Sequence, residues 1–122
     1  MQIVFKLPCS DAVASAEFYA RLFWVAPSLR AYWDARGADV EIGNGVVIRL
    51  CPTSLPIVPS QIEFNAWDVV QLHRKIEGTI AEHDGTVETM PPCTRWGLYE
   101  FPGGLALSVM DPDGHYLSFV EW

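Results

Sequence analysis

The stretch Ser10-Asp11-Ala12-Val13-Ala14-Ser15-Ala16-Glu17-Phe18-Tyr19 puts a capped helix directly after a strand, and the architecture follows from that step. Upstream of it, Ile3, Phe5 and Leu7 alternate with Gln2, Val4 and Lys6, a period of two that predicts a strand with one apolar face. Pro8 should end that strand. Asp11 then caps the helix, because its carboxylate can accept from N–H groups of the first turn that have no partner within the helix. Val13, Ala16, Ala20 and Phe23, with Tyr19 beside them, recur at helical spacing and mark the buried side. Glu17 and Arg21, four apart, mark the wet side.

Outward from there, Pro27 stops or redirects the chain, and Leu29 to Val40 carries weaker strand signals, with Ala31 and Trp33 on one face. Asn44-Gly45 is a tight turn, since both residues tolerate positive φ, and it feeds a strand from Val46 to Cys51. Residues 53–60, between Pro52 and Gln61, are a proline-rich connector. Beyond it the pattern restarts. Ile62, Phe64 and Ala66 alternate with Gln61, Glu63 and Asn65; Asp68 is a second helix cap; Leu72, Ile76 and Ile80 recur every four residues. Thr86 to Thr89, Leu105 to Val109 and Tyr116 to Glu121 read as strands, with Asp111-Pro112-Asp113-Gly114 as a turn before the last. Val4 stands seven residues before Asp11, as Gln61 stands seven before Asp68. The chain is therefore one domain, 1–122, of two repeated modules, 1–52 and 61–122. Neither is long enough to close a core easily by itself.

Composition narrows the function. Eight Lys+Arg against fifteen Asp+Glu give a net charge of −7, which disfavours nucleic-acid binding and adsorption to anionic membranes and suits a receptor for small cations or plain solubility. Cys9, Cys51 and Cys93 are odd in number and form no CxxC pair, so free thiols in a reducing cytoplasm are expected, not disulfides or structural zinc. No signal peptide and no apolar run of transmembrane length is visible.

Ser10-Asp11 through Phe18-Tyr19 resembles the S-D-x-x-x-S-x-x-F-Y opening of the vicinal-oxygen-chelate superfamily of glyoxalases, dioxygenases and bleomycin-resistance proteins. Asp111-Pro112-Asp113-Gly114-His115 resembles its closing D-P-D-G-N, with histidine in place of asparagine. The resemblance spans the whole chain and implies an α+β fold of two βαβββ modules whose sheets curl around a cleft, commonly in a homodimer. Enzymes of that superfamily hold a divalent metal through four residues, and those positions fall here at Val4, Arg49, Gln61 and Ser118. Val4 offers no donor atom, Arg49 is a fixed positive charge, and only Gln61 is an ordinary, weak ligand. The resemblance thus implies a member without metal or other cofactor, closest in character to the bleomycin-resistance branch. The superfamily's Trp-Gly ahead of the closing aspartate corresponds in place to Gly103-Gly104, while Trp96-Gly97 comes earlier. Either an inserted loop or a different use of the tryptophan accounts for this.

In that arrangement Lys6, Arg49, Cys51, Gln61, Glu63, Asn65, Ser118 and Val120 share the phase that faces the cleft. Glu63 would need a cationic partner if buried, with Lys6 or Arg49 available. Trp33, Trp96, Tyr99 and Phe101 lie where aromatic rings would line or cover the cleft and stack on a flat ligand. Phe5, Phe18, Phe23 and Phe64 read as core. His73 and His83 read as surface or helix-end residues, and His115 as a turn residue; no metal or nucleophile motif surrounds them. Cys93 has no base beside it. The expected function is metal-free binding or sequestration, without catalytic residues, of a small, flat organic molecule such as an antibiotic, cationic if the chain's acidity guides it. The competing reading is a metal-dependent lyase, isomerase or dioxygenase with ligands drawn from Glu41, Glu63, His115 and Glu121. A third is a protein-binding scaffold with a filled interior.

Overall fold

The computed structural model describes the backbone of residues 1–31, 36–65, 68–74 and 98–122, and their side chains except at 29–31, 36 and 98–101. The chain forms two compact units, Met1–Val58 and Pro59–Trp122.

The first unit runs β1 (Ile3–Cys9), α1 (Ala12–Phe23), β2 (Ser28–Ala31), β3 (Arg36–Gly43) and β4 (Val46–Pro52). Its strand order is β1-β4-β3-β2, with β1 parallel to β4 and the other neighbours antiparallel. Asp11 caps α1 as the sequence implies: its Oδ1 accepts from the N–H groups of Val13 at 3.0 Å and Ala14 at 3.1 Å. The far end closes with Trp24 in the left-handed region (φ 53) and the Val25 N–H donating to the Ala20 carbonyl at 2.9 Å.

Three expectations change here. The buried stripe of α1 is Ala12, Ser15, Ala16, Phe18, Tyr19, Ala20 and Leu22, and Val13 is exposed: the first turn points a step round from the apolar spacing assumed. Pro8 does not end β1, which continues to Cys9; an edge strand has an outer side on which a missing N–H costs no ladder bond. Phe5, assigned to the core, is 37% exposed and Ile3 51%: α1 packs chiefly on β3 and β4, and of the apolar face of β1 only Leu7 and Cys9 are buried. The core of this unit is Leu7, Cys9, Ala38, Val40, Ile48 and Leu50 beneath α1.

The second unit repeats the plan. β5 (Gln61–Asn65) leads to a helical stretch at 69–74, then β6 (Leu98–Phe101), β7 (Gly104–Met110) and β8 (Tyr116–Glu121), in the order β5-β8-β7-β6 with β5 parallel to β8. Asp68 caps the helical stretch through a bond from the Gln71 N–H at 2.9 Å, and Glu121 of β8 accepts from the Val69 N–H at 2.9 Å. Ile62, Leu107, Val109, Leu117 and Phe119 are buried on one face, where Phe64 stacks on its register partner Phe119 at 5.1 Å. His73, expected at the surface, is buried in this unit. Ile76, Ile80, His83, Thr86 to Thr89 and Cys93 lie outside the described residues.

Both units are βαβββ-like modules, so the α+β architecture is as expected. Neither sheet is strongly curled, in contrast to the expectation. Each is an open ladder of four strands whose two edge strands do not pair with each other.

Candidate functional site

In the first unit, β1 and β4 run parallel with Lys6 opposite Arg49, and β3 lies antiparallel with Asp39 opposite Arg49. Directly opposed residues share a face. Lys6, Arg49 and Asp39 therefore form one row across three strands, on the face away from the Leu7–Leu50–Ala38 row of the core. The Arg49 Nε donates to Asp39 Oδ1 at 2.9 Å and its Nη2 to Oδ2 at 3.2 Å, a two-pronged pair. With side chains 17% and 15% exposed, the pair is largely shielded from water. Lys6 is exposed. Asp39 was not among the expected site residues. A hairpin folded on Asn44-Gly45 without irregularity would set Arg49 opposite Val40, but a bulge between Glu41 and Gly43 shifts the register and brings in Asp39.

In the second unit Gln61, Glu63 and Asn65 are all exposed on one side of β5, in alternation with Ile62 and Phe64. Glu63 is thus not a buried carboxylate, and the need for a cationic partner falls away. Ser118 is buried between Glu63 on β5 and Ser108 on β7 as register partners. Asn65 Oδ1 accepts from Trp122 Nε1 at 3.1 Å, which fixes an indole that is 74% exposed beside β5. Trp122 and Ser108 were not anticipated; Trp122 follows the final strand, where periodicity gives no signal. Tyr99 and Phe101 lie on β6 as register partners of Ala106 and Gly104. Trp33 and Trp96 lie outside the described residues.

His115 is a turn residue, as expected, and it is fully buried. Its Nδ1 accepts from the Ser60 N–H at 2.8 Å, and its own N–H donates to Asp111 Oδ1 at 2.9 Å. The same carboxylate oxygen accepts from the Asp113 N–H, so Asp111 organises the whole turn.

The residues at the four positions that the resemblance reserves for a metal do not fit one. Val4 brings no donor, Arg49 is held as a cation by Asp39, Gln61 stands exposed, and Ser118 is a neutral hydroxyl. Among the described residues no group of three or more His, Cys, Asp or Glu side chains could hold a metal ion. Of the alternative ligands, His115 and Glu121 already accept from backbone N–H groups, and Glu41 and Glu63 are exposed on separate sheets. Among the described residues no helix is long and apolar enough to cross a membrane.

No protein-family model matches the chain, and no curated protein matches it. Solved structures do. Oxidase ChaP-H1 is 24% identical with a TM-score of 0.72, the match covering 100% of this chain and 95% of that one. A glyoxalase/bleomycin resistance protein from Catenulispora acidiphila DSM 44928 is 16% identical with a TM-score of 0.70, over 100% and 98% of the two chains. A bleomycin resistance determinant encoded on the transposon Tn5 is 21% identical with a TM-score of 0.65, over 99% and 97%. An oxidase and a resistance determinant are matched alike, so the likeness marks architecture and not chemistry. The chain has the vicinal-oxygen-chelate fold of glyoxalases and bleomycin-resistance proteins.

Proposed function

We propose that the protein binds and sequesters a small, flat organic molecule without a metal, in the manner of the bleomycin-resistance branch of this fold. The observation that carries the reading is Arg49. A guanidinium clamped by Asp39 stands where the resemblance places a metal ligand, and it cannot release its proton to bind one. Glu63 and Asn65, exposed beside the fixed Trp122 indole, supply polar contacts and a stacking surface for the ligand's planar part. A ligand with some cationic character suits the net charge of −7 and the exposed Glu63. Tyr99 and Phe101, on β6 of the same unit, are proposed to add aromatic surface for the ligand. The working form is a cytoplasmic homodimer in which residues 53–60 link the two modules.

The test is a tryptophan-fluorescence titration of the chelator-treated protein with planar aromatic compounds of positive, neutral and negative charge. Saturable quenching at one equivalent, unchanged by added metal, supports the reading. Quenching that saturates only after a divalent metal is added would overturn it.

A further inference from the structure

We infer that the row Glu63–Ser118–Ser108 of the second unit takes a cationic nitrogen group with several N–H donors, such as an amidinium, carried by the flat ligand. The inference rests on the small-molecule reading above and names the group by which that ligand is held. Glu63, Ser118 and Ser108 are successive register partners on β5, β8 and β7, so they stand in one line on the face away from the buried Ile62–Leu117–Val109 row. Ser118 and Ser108 are 6% and 2% exposed, yet neither hydroxyl bonds to a described residue. Serines opposed across a ladder can bond to each other, and these two do not. Buried hydroxyls are as a rule hydrogen-bonded, because burial otherwise forfeits the bonds that water gave. Alanine would fill both positions without that loss. Two unbonded hydroxyls side by side therefore mark a place for a partner that is not part of the chain.

The surroundings set that partner's chemistry. Ser118 lies between Tyr116 and Val120 on its face of β8, and Ser108 lies beside Met110 on β7, so both oxygens sit below the level of longer neighbours. Neither oxygen is completely sealed from solvent, so a small group can reach them. Glu63 is exposed at the edge-strand end of the row and is the one charged residue of this face among the described side chains. A carboxylate only accepts, and a hydroxyl has two lone pairs to offer. Acceptors on adjacent strands, about 4.8 Å apart, suit a group whose N–H bonds diverge from a positive centre. An anion would meet Glu63 with like charge. Ason the same face of β5, Asn65 holds the Trp122 indole, which offers a stacking surface to the flat part of the ligand.

Calorimetric titrations of the full chain with naphthalene-2-carboxamidine and naphthalene-2-carboxamide, which share shape but not charge, test this. The amidine should bind about tenfold more tightly, as a charge-assisted hydrogen bond implies. Glu63→Gln should bring the two affinities together. Ser118→Ala and Ser108→Ala should each weaken the amidine about fivefold without lowering the melting temperature, because no bond within the chain is lost. Equal affinities in the unaltered protein would overturn the inference and leave the flat-molecule reading standing. So would full amidine affinity in both serine variants. A melting temperature lowered by either serine change would overturn it as well, by showing that the hydroxyl already has a partner in the chain. Failure of both probes to bind would overturn the inference and the reading together.

Discussion

His115 shows how much a single side chain can do without taking part in chemistry. It is fully buried, and its imidazole is the acceptor that holds the Ser60 N–H, the residue just before β5, to the turn that opens β8. His115→Ala leaves that N–H without its partner and should cost about 1–3 kcal/mol, read as a lower urea midpoint. His115→Asn keeps a side-chain oxygen that can accept, and should recover part of the loss. Equal losses in the two variants would mean that volume matters here and the hydrogen bond does not. Asp11→Ala should cost about 0.5–2 kcal/mol in the same assay by removing the cap of α1. The caps were legible in the sequence because an acidic residue ahead of an apolar run has one main use. The burial of His73 was not, since a histidine at helical spacing looks the same whether the chain covers it or water does.

Elements were legible to the extent that their signals were local. Alternation located β1, β5 and β7, the turns at Asn44-Gly45 and Asp111–Gly114 located β4 and β8 behind them, and Asn44 and Gly45 both adopt positive φ, at 54° and 72°. The bulge between Glu41 and Gly43 left no such mark, yet it decides that Asp39 and not Val40 meets Arg49. A one-residue slip exchanges the two faces of a strand, so Asp39 could not be placed beside Arg49 from the sequence. The exposure of Ile3 and Phe5 at the start of β1 was also beyond the sequence, because it depends on which strands α1 lies against. Two glycines should separate close packing from backbone strain. A Cβ at Gly104 would collide with the Glu121 carbonyl oxygen, whereas at Gly114, with φ at 87°, nothing lies within 4 Å. Gly114→Ala should therefore cost about 1–2 kcal/mol from backbone conformation alone. Gly104→Ala must move β7 from β8 and should lower the melting temperature by clearly more. A reversed order would show that the two strands are not as closely apposed as described.

At the scale of the whole chain, the repeat was the most informative feature of the sequence, and the two sheets return it as matching strand orders, β1-β4-β3-β2 and β5-β8-β7-β6. In the second module the expectations for Ile76, Ile80 and Thr86 to Thr89 lie outside the described residues. Each sheet keeps open edges, and β1 adds exposed Ile3 and Phe5 to one of them. Open apolar edges in small modules favour a second copy as cover. Sedimentation equilibrium at micromolar concentration should accordingly report a dimer, and Ile3→Lys should shift it toward monomer. A monomeric unaltered protein would refute the dimer and leave the ligand proposal to be judged separately.

The central claim, small-molecule binding without a metal, is met most directly by a thermal-shift titration of the chelator-treated protein. One arm adds nickel, zinc, iron or manganese, and the other adds flat organic compounds of either charge. A ligand that binds only the folded state must raise the melting temperature by mass action. Stabilisation by a flat compound with no stoichiometric response to any metal is the predicted result. A saturating, one-to-one response to a metal would contradict it, and would mean that ligands other than Val4, Arg49, Gln61 and Ser118 form a metal centre.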